Sequence, residues 1–165
     1  MNTEGKIWKF GSDIDTDAII PARYLSQSDP KELAKHAMED ERPDFIKGVK
    51  EGDILVAGKN FGCGSSREEA PLALKYAGVK CVLADSFARI FYRNAINIGL
   101  PVLECPEASS KIDDEDKLIL DPSTGVVRDQ SKNLTLQATQ LPVFILDVLN
   151  DGGLIKHLRK GMNLK

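Results

Sequence analysis

The chain has 165 residues, 42 % hydrophobic and 28 % charged, a globular composition that excludes disorder and fibrous repeats and predicts one domain over 1–165. Lys plus Arg number 22 against 25 Asp plus Glu, a net charge of −3 that excludes a general, basic nucleic-acid binder. No apolar run approaches the roughly 18 residues of a membrane span, and Met1-Asn2-Thr3-Glu4-Gly5-Lys6 carries no apolar signal core, so a cytoplasmic location is expected.

Residues 6–10 alternate as a short strand. A polar turn over 11–17 follows, then Ala18-Ile19-Ile20 meets Pro21. Asp29 as N-cap, Pro30 at the first helical position and Glu32 at the third predict a helix that ends before Pro43. Leu33, His36, Ala37 and Met38 would face inward. A strand is predicted over 53–58. The loop Gly62-Cys63-Gly64-Ser65-Ser66 then opens a helix over 67–77 that Gly78 closes. Residues 80–84 form the next strand, Ser86 caps a helix over 87–97 closed by Gly99, and 101–104 is a strand again. Strand, helix, strand, helix, strand implies parallel strands with helical crossovers. Residues 117–121 and 125–128 read as a hairpin around 122–124, with 134–136 as an added strand. A helix interrupted at Gly152-Gly153 runs from Pro142 to about residue 160.

Three cysteines, Cys63, Cys81 and Cys105, form no CxxC pair, and the two histidines, His36 and His157, stand far apart on predicted helices. A metal site or iron–sulfur cluster held by this chain alone is not expected, and a Ser–His–Asp triad is poorly supplied.

The stretch from Gly58 to Glu69 is richest in chemistry. It fails the phosphate-loop pattern, the dinucleotide fingerprint and the hydrolase elbow. Its glycines still let the backbone turn sharply and approach a ligand. Ser66 with Glu69 reads as a capping box, which aims helix N–H groups out of the loop, and Arg67 adds a fork for a carboxylate. An anion site with two hydroxyls beside it is one reading. A helix cap with a solvated arginine is the other, and the residues alone leave both open. The acids Asp13, Asp15 and Asp17 alternate, but Ala18 and Tyr24 stand where a calcium loop needs Gly and Glu, which leaves an Asp-rich turn. Phe87, Ile90, Phe91 and Ile98 make an apolar helix face, and Arg93, Asn94 and Asn97 near its end are binding candidates that composition does not decide.

Three stretches together resemble the small-subunit family of 3-isopropylmalate dehydratase, the separate-chain version of the aconitase swivel domain: Thr16-Asp17-Ala18-Ile19-Ile20-Pro21-Ala22-Arg23-Tyr24-Leu25, Asn60-Phe61-Gly62-Cys63-Gly64-Ser65-Ser66-Arg67-Glu68, and Ser86-Phe87-Ala88-Arg89-Ile90-Phe91 with Arg93, Asn94 and Asn97. The resemblance covers essentially the whole chain and is clearest over 5–105. It implies an α/β fold, the swivelling β/β/α domain, with a parallel core sheet, an added β-hairpin and a C-terminal helix. It implies a hydro-lyase of leucine biosynthesis that isomerises 2-isopropylmalate to 3-isopropylmalate by dehydration and rehydration, active only with a large subunit. That partner would carry the 4Fe-4S cluster, with no cofactor bound by this chain; self-association of the isolated chain is left open. Ser65 would be the catalytic base. Ser66 and Arg67 would bind substrate carboxylate, with Arg23 a candidate second contact and Thr16 and Asp17 the active-site pair. Tyr24, Leu25, Ser26 and Gln27 would form the specificity loop. Homoaconitase-type subunits place an Arg there, and the uncharged Ser26-Gln27 favours a neutral side group, since an unpaired carboxylate in a closed site is costly. A dehydratase acting on 2,3-dimethylmalate, citramalate or a homocitrate-type substrate, and a non-catalytic swivel module, are the alternatives. Many members read Ser-Arg-Glu-His-Ala-Pro where this chain has Glu69 in place of His.

Overall fold

The structure, a computed structural model, describes residues 3–162. The reading of residues 1–6 as leaderless falls partly on residues 1 and 2, outside the described residues.

Strand β1 (Thr3–Lys9) leads to α1 (Thr16–Ile19), a 3-10 turn (Ala22–Tyr24), α2 (Pro30–Ala34) and α3 (Phe45–Gly48). The crossover region runs β2 (Ile54–Ala57), α4 (Glu69–Ala77), β3 (Cys81–Ala84), α5 (Arg89–Asn97), β4 (Val102–Glu104) and α6 (Ala108–Lys111). Strands β5 (Lys117–Asp121), β6 (Val126–Asp129) and β7 (Leu134–Gln137) follow, then α7 (Val143–Asn150) and α8 (Leu154–Gly161). The seven strands form one sheet in the order β4-β3-β2-β1-β5-β6-β7. From β1 to β4 the strands are parallel, with Ile7 opposite Ile54, Ile54 opposite Cys81 and Val82 opposite Val102. Strand β1 is shared. Its second half pairs with β2, while Thr3–Lys6 pairs antiparallel with β5, which opens the β5-β6-β7 meander.

The strand period divides the core in two. Leu55, Ala57, Val82 and Ala84 face one cluster with Phe45, Leu74 and Phe91. Ile54, Val56, Cys81 and Leu83 face the other, where Leu118, Leu120 and Val127 of the meander close over them. Burial on both faces is why these strands are short continuous apolar runs. No helix among the described residues is long and apolar enough to cross a membrane.

Several helix boundaries differ from the sequence expectation. Asp29 caps α2 as expected, accepting from the Lys31 N–H at 2.9 Å. Glu32, however, pairs with Lys35 at 2.8 Å rather than reaching back, and α2 ends at Ala34, well short of Pro43. Leu33, Ala37 and Met38 are buried. His36 is half-buried, stacked on Tyr24 at 3.7 Å and bonded to Glu39. The Ser66–Glu69 capping box does not form: α4 begins at Glu69 with no side-chain cap, because the chain through Arg67 stays in the loop. Ser86 does not cap α5. Its Oγ accepts from the Asn60 N–H at 2.8 Å, and the capping position falls to Ala88.

Candidate active site

Adjacent parallel strands bring their C-terminal loops side by side, the usual place for a ligand in an α/β sheet. Ala57 and Ala84 are paired at the ends of β2 and β3. Phe61 N–H donates to the Ser86 carbonyl at 3.1 Å, and Ala88 N–H donates back to Phe61 at 2.9 Å. From the other side, Gly62 N–H donates to Ile14 at 2.7 Å and Thr16 N–H donates to Cys63 at 2.9 Å. The loop is thus held between two segments. Gly62 has φ +82°, and a Cβ there would run into the Phe91 ring. Phe91 cannot yield easily, since it lies edge-on to Phe61 at 5.2 Å and stacks with Phe87 at 6.2 Å.

This loop presents Ser65 and Ser66 to solvent. Buried Thr16 donates from Oγ1 to the Ser65 carbonyl at 2.8 Å. Asn94 Nδ2 lies 3.5 Å from Ser66 Oγ, at the limit of a hydrogen bond. Arg67 turns back over α1: its Nη1 donates to Asp17 Oδ1 at 3.2 Å and to the Ile20 carbonyl at 3.4 Å. Asp17 also accepts from the Ala22 N–H at 2.9 Å, and that bond first, then Arg67, holds its carboxyl below the usual value. A cavity of about 260 Å³ opens here, lined by Thr16, Gly62, Ser65, Ser66, Arg67 and the start of α5.

The structure therefore brings together Thr16, Asp17, Ser65, Ser66 and Arg67. Arg23 and the Tyr24–Gln27 segment do not line that cavity. The Arg23 fork grips Asp40 at 2.8 and 2.6 Å and reaches Glu39 at 2.8 Å. Those partners, Asp40 foremost, hold its guanidinium firmly protonated. Tyr24 OH donates to Glu39 at 2.5 Å. Burial opposes the Glu39 charge, but bonds from Tyr24, His36 and Arg23 prevail and lower its pKa. Leu25 packs on the core, while Ser26 and Gln27 are exposed. The three alternating acids have separate tasks: Asp13 accepts from Asn60 at 3.1 Å, Asp15 caps α1 from the Ala18 N–H at 2.7 Å, and Asp17 orients Arg67.

Sequence reasoning passed over Arg89, whose side chain forms part of the cavity wall. The signal was positional: it is the first residue of the helix that leaves the strand next to β2.

The donor set does not fit an iron–sulfur cluster. Cys81 and Cys105 lie in the buried cluster behind the sheet, where burial pushes the Cys81 thiol far up and Cys105 to about 11. Burial first, then Asp15 and Asp13, also raise Cys63. Among the described residues no three His, Cys, Asp or Glu side chains are grouped to hold a metal ion.

A two-sided loop over parallel strands, with a serine pair and an arginine at its rim, is the arrangement of an aconitase-type swivelling domain. The family model of the aconitase C-terminal domain matches residues 12–108. The chain is 61 % identical over 157 residues to the 3-isopropylmalate dehydratase small subunit of Methanosarcina mazei, covering 95 % of this chain and 96 % of that one. It is 54 % identical to the isopropylmalate/citramalate isomerase small subunit of Methanocaldococcus jannaschii, covering 96 % and 95 %. A crystal structure of 3-isopropylmalate dehydratase from Methanocaldococcus jannaschii superimposes with a TM-score of 0.94 at 46 % identity, covering 99 % of this chain and 97 % of that one. The chain belongs to the aconitase C-terminal domain family and, within it, to the small subunits of 3-isopropylmalate dehydratase.

Proposed function

We propose that this chain, assembled in the cytoplasm with a large subunit that holds the 4Fe-4S cluster, isomerises 2-isopropylmalate to 3-isopropylmalate in leucine biosynthesis. The observation that carries this reading is the shared cavity of Ser65 and Arg67, with the Ser65 backbone pinned by Thr16. As its alkoxide, Ser65 Oγ takes the carbon-bound proton, the hydroxyl of the neighbouring carbon leaves as water with a proton from an acid of the large subunit, and an alkene diacid results. Water then returns in the opposite regiochemistry, losing one proton to that acid's conjugate base while Ser65 gives its own proton back to carbon. A serine hydroxyl is a poor base unless its anion is stabilised. Arg67 supplies positive charge beside it, and covering of the exposed loop by the partner excludes water, which strengthens that interaction. Arg67, already oriented by Asp17, binds one substrate carboxylate.

The name of the Methanocaldococcus jannaschii relative supports a second reading, turnover of citramalate as well. Ser26 and Gln27 are exposed and uncharged but do not line the cavity, so the assay decides between the two substrates. The test is anaerobic assembly with the reconstituted large subunit. Alkene-diacid absorbance is followed with isopropylmalate, citramalate, dimethylmalate and homocitrate, for wild type and Ser65→Ala. Best turnover of isopropylmalate, with a loss of at least about a hundredfold in Ser65→Ala, is expected. Absence of turnover with every diacid would leave a non-catalytic module.

A further inference from the structure

Resting on that diacid reading, we propose that Arg89 is the second guanidinium of the substrate site and binds the carboxylate that Arg67 does not hold. A diacid enters with two negative charges, and a site closed to water leaves an unpaired carboxylate at high cost. The candidate for the second contact, Arg23, has both terminal nitrogens engaged by Glu39 and Asp40 and does not line the cavity. Arg89 does line it, together with Ser65, Ser66 and Arg67. Its side chain is exposed, and among the described residues it makes no hydrogen bond or ion pair, unlike Arg67.

Two further features favour an anion at this wall. Arg89 opens α5, a helix of nine residues whose capping residue is Ala88, so no side chain covers the first-turn N–H groups and the positive end of the helix dipole. Arg89 also borders a neighbouring cavity of about 460 Å³, so this exposed residue is shared by two cavities. The charged groups of that neighbouring cavity are Arg93 and Glu104, and Glu104 accepts from the Phe87 N–H at 3.4 Å. A planar fork suits bidentate carboxylate binding in a way an ammonium does not, so lysine should replace it only in part.

The test uses the assembled two-subunit enzyme carrying Arg89→Gln, Arg89→Lys or, as a charge-loss control on the exposed face of α8, Arg159→Gln. Arg89→Gln should raise the KM for the diacid by about tenfold to a hundredfold with kcat within about threefold. Arg89→Lys should recover part of the loss, and Arg159→Gln should leave both constants unchanged. Inhibition by succinate should weaken in parallel in Arg89→Gln, while inhibition by a monocarboxylate of similar bulk should not. An unchanged KM overturns the assignment. So does a defect that disappears when the large subunit is saturating, which would make Arg89 an interface residue. Failure of the underlying reading shows separately, as absence of turnover in the wild-type complex.

Discussion

Thr16 Oγ1 donates a 2.8 Å hydrogen bond to the carbonyl of Ser65, so a buried side chain of α1 fixes the backbone of an exposed residue forty-nine positions away. Ser65, the proposed base, is exposed, and its placement depends on this anchor and on the glycine turn beside it. Thr16→Val keeps the shape and removes the donor. It should cost about 1 kcal/mol in stability and, because small displacements of a reacting group are amplified, at least about tenfold in kcat. Thr16→Ser should restore most of the activity. Thermal melting of the chain and steady-state kinetics of the complex check both.

Two glycines of the same loop make a matched comparison. Gly62 and Gly64 have φ +82° and +89°, but only Gly62 faces a ring; a Cβ on Gly64 would meet nothing closer than Asp15 Cβ at 3.5 Å. Gly64→Ala should cost backbone strain alone, about 1 kcal/mol. Gly62→Ala adds a clash with Phe91 and should cost about 3 kcal/mol. Urea denaturation midpoints measure the difference, and equal losses would mean that the aromatic trio yields.

The crossover region was legible because its strands β2 to β4 are short apolar runs and a glycine follows each of its two longer helices, Gly78 at the end of α4 and Gly99 just past α5. Its helix starts were misread for one physical reason. Ser66 and Ser86 have the right chemistry for caps, but loop geometry uses them elsewhere, Ser86 to hold Asn60 and Ser66 on the cavity rim beside Asn94. The four-residue helices α1, α3 and α6 are too short to show a helical period. Ser65, Ser66 and Arg67 were legible as one local motif. The Arg23 cluster with Glu39 and Asp40, and the meeting of Arg89 with Arg67 at one cavity, depend on how loops from different strands meet, which no local pattern encodes.

The single tryptophan reports on the junction of the two halves of the sheet. Trp8 lies in the half of β1 paired with β2, 5 % exposed, edge-on to Phe45 at 5.3 Å. Its Nε1 donates to Asp53 Oδ2 at 2.9 Å, which also accepts from the Lys50 N–H at 2.9 Å. Asp53→Ala leaves a buried indole N–H without its acceptor and should cost about 2 kcal/mol, with a red shift of tryptophan emission as water enters. Asp53→Asn keeps an acceptor oxygen and should cost less. Urea titration followed by fluorescence reads both effects, and an unshifted Asp53→Ala emission would mean that another acceptor has replaced it.

A carboxyl pair under the meander predicts a pH effect of definite sign. Asp129 is 2 % exposed; its Oδ1 accepts from the Ser131 and Lys132 N–H groups at 2.9 and 3.1 Å, while buried Oδ2 meets no donor. Burial first, then the Asp116 carboxyl, raise the Asp129 pKa. At Asp116 burial also opposes charge, but the Asp113 N–H and Lys132 prevail and lower its pKa. Asp116 therefore contributes stability above the ordinary carboxylate range, lost only as pH falls through its depressed value. Asp129 works the other way: its protonated form fits, and stability is lost as pH rises through its raised value. Asp129→Asn keeps an oxygen for the two backbone donors and turns an N–H toward Asp116. It should stabilise the fold by about 1 kcal/mol at neutral pH. The gain should shrink near pH 4, about the ordinary aspartate value, because wild-type Asp129 then holds its own proton. Melting temperatures of the two proteins across that range give the answer: a gain independent of pH would show that packing, not the buried charge, separates them.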